Sequence, residues 1–188
     1  CLGAVDEYKS NQLCVLSMLV IGTVSMISTG IALFLNRPIF QLMNIDASIL
    51  HETCLYLMIV GGFSLIQGLY LNFAAILRSH TRLKEVMIVS VIMNVLNIIG
   101  NAILINGLFG FPQLGIVGAA ISTVISKTIG LICIYVVFRK YTKIELKLKY
   151  LKQGSKEMLM KLLKIGIPSG AENFSYNLSQ ICILSVIN

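Results

Sequence analysis

The chain has 188 residues, of which 56% are hydrophobic and only 12% charged, and its mean hydropathy is +0.86. That is more apolar side chain than a water-soluble domain of this size needs, and whole stretches of about 20 residues carry almost no charge, which excludes an ordinary soluble domain and calls for hydrocarbon surroundings. The 15 basic against 8 acidic residues give a net charge of +7; the positive charges sit in short segments between apolar runs, a pattern matched to anionic lipid rather than to nucleic acid.

In chain order, apolar runs extend from Leu13 to Leu35, Ile49 to Leu77, Val86 to Ile105 and Leu114 to Phe138; a fifth begins near Ile165 and is still running at Asn188. About 20 residues of helix cross a hydrocarbon layer of ~30 Å, so each complete run is long enough and the second can tilt. Helix is expected throughout, because hydrocarbon offers no water to backbone groups left open. The predicted fold class is all-α, a polytopic membrane helix bundle. Cys1 stands where a start would have methionine, the opening lacks a signal-peptide layout, and the last run stops without a polar flank. The natural protein is therefore expected to extend in both directions.

Basic residues set the sidedness. Lys9 precedes the first run, Arg78, Arg82 and Lys84 separate the second from the third, and a basic stretch runs from Arg139 to Lys164; these segments are expected to be cytoplasmic. The alternate loops hold Arg37 in one case and no basic residue in the other. Within 139–164, KIELKLKYL alternates apolar and charged residues as an extended surface strap would. Ser155 can then cap an amphipathic helix whose Met158, Leu159, Leu162 and Leu163 share a face, flat on the inner leaflet, with Gly166 and Pro168 breaking it from the last run. The segment 139–164 reads as a basic cytoplasmic linker between two helical bundles.

Polar residues inside the runs carry the functional signal, since each is costly in lipid unless it faces protein or water. Ser90, Asn94, Asn97 and Asn101 recur at helical spacing and occupy one narrow stripe. That stripe reads either as interhelical hydrogen bonding or as the lining of a cavity or ion site. The fifth run opens with Ser169, Glu172, Asn173, Tyr176, Asn177 and Gln180 on one side. Glu172, if buried, would have a raised pKa and could exchange protons; the competing reading is an ion pair near the headgroups. Lys127 is too deep in its run to snorkel easily and should face protein or water. Around it Gly118, Ser122, Ser126 and Gly130 form a small-residue ladder that reads as packing. Gln67, Gly68 and Asn72, with Gly61 and Gly62, mix packing with possible pathway lining.

The five cysteines are scattered with no CxxC pair, His51 and His80 stand at run ends without a ligand set, and HExxH, GxSxG, P-loop and dinucleotide-binding patterns are missing. An enzyme is not expected, and neither is a cofactor.

The segment LINGLFGFPQLGIVGAAISTVISK, Leu104 to Lys127, resembles the loop and sixth helix of multidrug and toxic compound extrusion (MATE) transporters; MNVLNIIGNAILI before it, ILRS ending the second run and the GIPSGAEN opening of the fifth fit the same family. The resemblance covers nearly the whole chain. It implies a partial two-lobe transporter: residues 1–138 as part of the N-terminal lobe (helices three to six), 139–164 as the inter-lobe linker, and 165–188 as the first helix of the C-terminal lobe, truncated. On this resemblance Asn97 and Asn101 match positions of the family's N-lobe cation or proton network, with a possible Na⁺ at these two, and Asn72 is a looser match. Asn101 stands where some members have an acid, which leaves Na⁺ and H⁺ both open as coupling ion. The chain departs from the family at HTRLKEV, where a glycine turn and a proline are common.

The function implied is cation-coupled antiport that exports drugs or toxic metabolites by alternating access. The alternatives are a flippase for lipid-linked oligosaccharide or cell-wall precursor from the same superfamily, and a membrane scaffold or channel without coupled transport. The expected partners are the lipid bilayer and a small organic, cationic substrate, without nucleic acid; the full-length protein is expected to be a monomer in the inner (cytoplasmic) membrane of a bacterium.

Overall fold

A computed structural model describes residues 7–34, 47–110, 112–142, 144, 159–164, 166–168, 170, 171 and 175. Five helices account for most of them: α1 Glu7–Phe34, α2 Ala47–Gly62, α3 Ser64–Ser79, α4 Leu83–Asn106 and α5 Gly115–Tyr141. A single 3₁₀ turn, Leu108–Gly110, precedes α5, and among the described residues there is no strand. α1, α4 and α5 are each long and apolar enough to cross a membrane, and α2 and α3 reach that criterion together as a pair bent by 44°. The chain is thus a multi-pass membrane protein.

The bend corrects the expectation of one continuous helix from Ile49 to Leu77. Phe63 leaves the helical region at φ −100°, ψ 19°, just after Gly61 and Gly62. Two glycines weaken a helix locally, and α1 supplies the polar groups that a break requires. Thr29 Oγ1 donates to the Gly61 carbonyl at 3.0 Å and lies 2.9 Å from Ser64 Oγ, while Ser64 Oγ donates to the Ser25 carbonyl at 3.0 Å. Gly61 also faces Ala32 so closely that a Cβ at this position would clash with the Ala32 methyl.

The helices pack in a row. α5 lies against α4 along most of its length on one side and against α2 and α3 on the other, and α1 covers the far side of α2 and α3. Cys14, Phe73, Leu77, Val86, Ile134 and Phe138 form the core of the end predicted to be cytoplasmic, where the Phe73 ring lies 4.9 Å from that of Phe138 and 5.5 Å from that of Tyr135. At the same end, Arg82 of the α3–α4 turn places its guanidinium 4.4 Å over the Tyr141 ring and ties that turn to the end of α5.

Outward faces are apolar. Met87, Val91 and Ile98 on α4 and Met26 and Ile27 on α1 are all more than half exposed, an arrangement that is costly in water and free of that cost against lipid or neighbouring protein.

Candidate functional site

The α4–α5 seam is built on the small-residue ladder. Gly118, Ser122, Ser126 and Gly130 are all buried. A Cβ on Gly118 would stand 2.6 Å from the Leu104 carbonyl oxygen, and one on Gly130 would stand 2.8 Å from the Met93 sulfur. Gly100 in turn faces Ser122. As residue numbers rise along α5 they fall along α4, which is the register of two antiparallel helices in close contact.

This proximity brings a polar network together. Thr123 Oγ1 donates to the Ala119 carbonyl at 2.8 Å, and Ser126 Oγ donates to the Ser122 carbonyl at 2.7 Å. Each hydroxyl has one proton, so with those protons held by their own helix, both oxygens face α4 as acceptors. Asn97 meets them with its donor end: its Nδ2 lies 3.3 Å from Thr123 Oγ1 and 3.2 Å from Ser126 Oγ. Its Oδ1 consequently faces the other way and accepts from Asn101 Nδ2 at 3.3 Å. Ser122 Oγ adds a bond to the Asn97 backbone carbonyl at 3.1 Å. The chain of donors and acceptors ends at Asn101 Oδ1, which is buried with no protein partner.

Of the predicted site residues, the fold brings Asn97 and Asn101 together and separates the others. Asn94 is exposed on the outer side of α4. Asn72 is buried in a different seam, where its Oδ1 accepts from Ser17 Oγ of α1 at 3.1 Å. Lys127 is half-buried on α5, in register with Leu131, Ile134 and Phe138 on the side packed against α3, and among the described residues it has no salt-bridge partner. Gln67 Oε1, on α3, is buried without a partner. Glu172, Asn173, Tyr176 and Gln180 lie outside the described residues, as do Asn177 and nearly all of the predicted strap at 143–151. Thr123 was not singled out from the sequence, and Ser122 and Ser126 read there as packing alone; the available signal was a pair of hydroxyls on the flank of a glycine ladder opposite an amide stripe. No cluster of three or more His, Cys, Asp or Glu occurs among the described residues, so a cation in this seam would be held by amide, hydroxyl and carbonyl oxygens.

The MatE family model matches residues 1–103. The chain belongs to the MatE family. Among its relatives is the uncharacterized transporter YisQ of Bacillus subtilis, 39% identical over 182 residues that make up 97% of this chain and 40% of YisQ. Another is the probable multidrug resistance protein YoeA of the same organism, 32% identical over 80% of this chain and 33% of YoeA. The fold is also that of a solved MATE transporter of the MOP superfamily, described as a multidrug resistance protein in an inward-facing conformation: the TM-score is 0.78 at 22% identity, over 87% of this chain and 37% of that one. The chain thus spans between a third and two fifths of the length of the relatives it matches.

Proposed function

We propose that the full-length protein is a secondary active transporter that exports drugs or toxic metabolites by alternating access, in antiport with Na⁺ or H⁺. The observation that carries this reading is the Asn97–Asn101 pair, whose donor chain ends on a buried oxygen with no protein partner. A carbonyl oxygen so placed can coordinate Na⁺ or accept from a proton donor, and Asn97, Thr123 and Ser126 hold it in position. An amide does not itself titrate, so an H⁺ cycle needs a carboxylate, for which Glu172 is the candidate. The wording of the relatives' names supports export of drug-like compounds as the substrate class, and bacterial relatives support a bacterial cytoplasmic membrane.

The test is reconstitution of the full-length protein in liposomes with a fluorescent cationic dye and an imposed Na⁺ or H⁺ gradient. Gradient-driven dye movement is expected, falling about 10-fold in Asn101→Ala, the equivalent of ~1.4 kcal/mol of lost ion coordination. Dye that moves under neither gradient rejects the antiporter and favours the flippase for lipid-linked sugars.

A further inference from the structure

At the cytoplasmic end of the α1–α3 seam two helix faces meet without filling the space between them. Ser10 and Ser17 lie two turns apart on one face of α1, and Asn72 and Ser79 lie two turns apart on one face of α3. The helices are antiparallel, so the Ser17–Asn72 contact at 3.1 Å puts Ser10 opposite Ser79 one step nearer the cytoplasm. Between the two rungs is a cavity of about 220 Å³, whose lining also includes His80, Ile144 and Leu162.

The hydrogen bonds around the cavity leave one polar group unmet. Ser17 Oγ has a single proton to give, to the Cys14 carbonyl at 2.8 Å or to Asn72 Oδ1 at 3.1 Å, and Ser79 Oγ donates to the Ile76 carbonyl at 2.7 Å. Asn72 is 5% exposed and its Nδ2 is buried with no protein partner. Turning the amide over would leave its oxygen open instead, so in either orientation one polar atom of Asn72 is unmet. A cation can serve only the orientation that leaves the amide oxygen open. An acyl chain brings no hydrogen-bonding atom to Asn72, which lies about 10 Å below the end of α3 at ~1.5 Å per residue. Water can both accept and donate, and a water needs only ~10–15 Å³ of such space and two to four polar partners.

We propose that this cavity is a water-filled vestibule that exposes Asn72 to the cytoplasm. It rests on the reading of the chain as a membrane protein with the α3–α4 turn on the cytoplasmic side, and not on any ion or substrate. The experiment uses the full-length protein without native cysteines, in inside-out vesicles, with a charged, membrane-impermeant methanethiosulfonate as probe. Ser10→Cys and Ser17→Cys should each be modified from the cytoplasmic side about 10-fold faster or more than Ala74→Cys, because the reactive thiolate forms in water and is disfavoured in apolar packing. Leu162→Trp should slow the reaction at Ser17→Cys and spare an exposed control at Lys84→Cys, which lies outside the cavity lining. The proposal is overturned if both vestibule cysteines react with the charged reagent no faster than Ala74→Cys while a lipid-soluble maleimide labels them, which would mean that protein or lipid fills the space. Labelling is read without transport, so this outcome is separate from failure of the antiporter reading.

Discussion

Asn101 gives its amide Nδ2 to the Oδ1 of Asn97 at 3.3 Å and keeps its own Oδ1 buried and unpaired. The polarity of this pair is imposed from α5, where the hydroxyl protons of Thr123 and Ser126 are already committed to backbone carbonyls.

Asn97→Asp is therefore expected to be harmful out of proportion to its size. It replaces the donor that satisfies Thr123 and Ser126 with an acceptor facing two acceptors, and a buried polar group left without its partner costs about 1–3 kcal/mol. The melting temperature of the purified full-length protein in detergent should fall more for Asn97→Asp, which loses the donor to both Thr123 and Ser126, than for Asn101→Asp, which loses only the donor to Asn97 Oδ1. Equal losses would show that the Asn97 amide is oriented the other way.

Gly118→Val should open the α4–α5 seam. Its side chain would meet the Leu104 backbone, which cannot rotate out of the way, and overpacking of this kind costs about 1–3 kcal/mol. Gly22→Ala, on α1 where nothing lies within 4 Å, serves as the comparison and should be neutral or gain a few tenths up to about 1 kcal/mol from helix propensity. Thermal unfolding of the two variants side by side decides the point.

Thr81→Gly should stabilise the protein. Thr81 has φ 61° at the end of α3, where its N–H bonds the Arg78 carbonyl and the Arg82 N–H bonds the Leu77 carbonyl, each at 3.0 Å. This is the Schellman arrangement, which normally has glycine at the left-handed position, and a β-branched residue there carries a strain of about 1–2 kcal/mol. A melting temperature unchanged by Thr81→Gly would count against the turn geometry.

Thr29→Val tests whether α1 holds the bend between α2 and α3. The substitution keeps the shape and removes the hydroxyl that meets the Gly61 carbonyl and Ser64. Spin labels at the exposed positions 52 and 79 should give one narrow distance in the parent and a broader distribution in the variant. An unaltered distribution would assign the bend to Gly61 and Gly62 alone.

The helical, membrane-crossing character was legible because it depends on apolar run length, and the amide stripe was legible because helical spacing places Asn97 and Asn101 together whatever surrounds them. Helix ends were less so: α1 starts at Glu7, ahead of the apolar run, and α5 continues through Arg139 and Lys140 to Tyr141, where basic residues favour a helix C-terminus. The bend at Phe63 was hidden, since the run is apolar on both sides of it and the partners of the Gly61 carbonyl and the Ser64 hydroxyl belong to α1. Asn94 parts from Asn97 and Asn101 for a geometric reason. The stripe follows the edge of the seam rather than its centre, so a residue rotated slightly outward faces away from α5 while Asn97 faces it.

The bent pair also bears on how the protein meets bilayers of different thickness. Two helices of 16 residues each would measure about 48 Å end to end if straight, at ~1.5 Å per residue, well beyond a hydrocarbon layer of ~30 Å. A straight helix of that length adapts only by tilting as a whole, which drags its neighbours with it. With a joint at Phe63 the excess length is taken up as an angle, and a change in membrane thickness can be absorbed there while the α4–α5 seam and its amide pair keep their register.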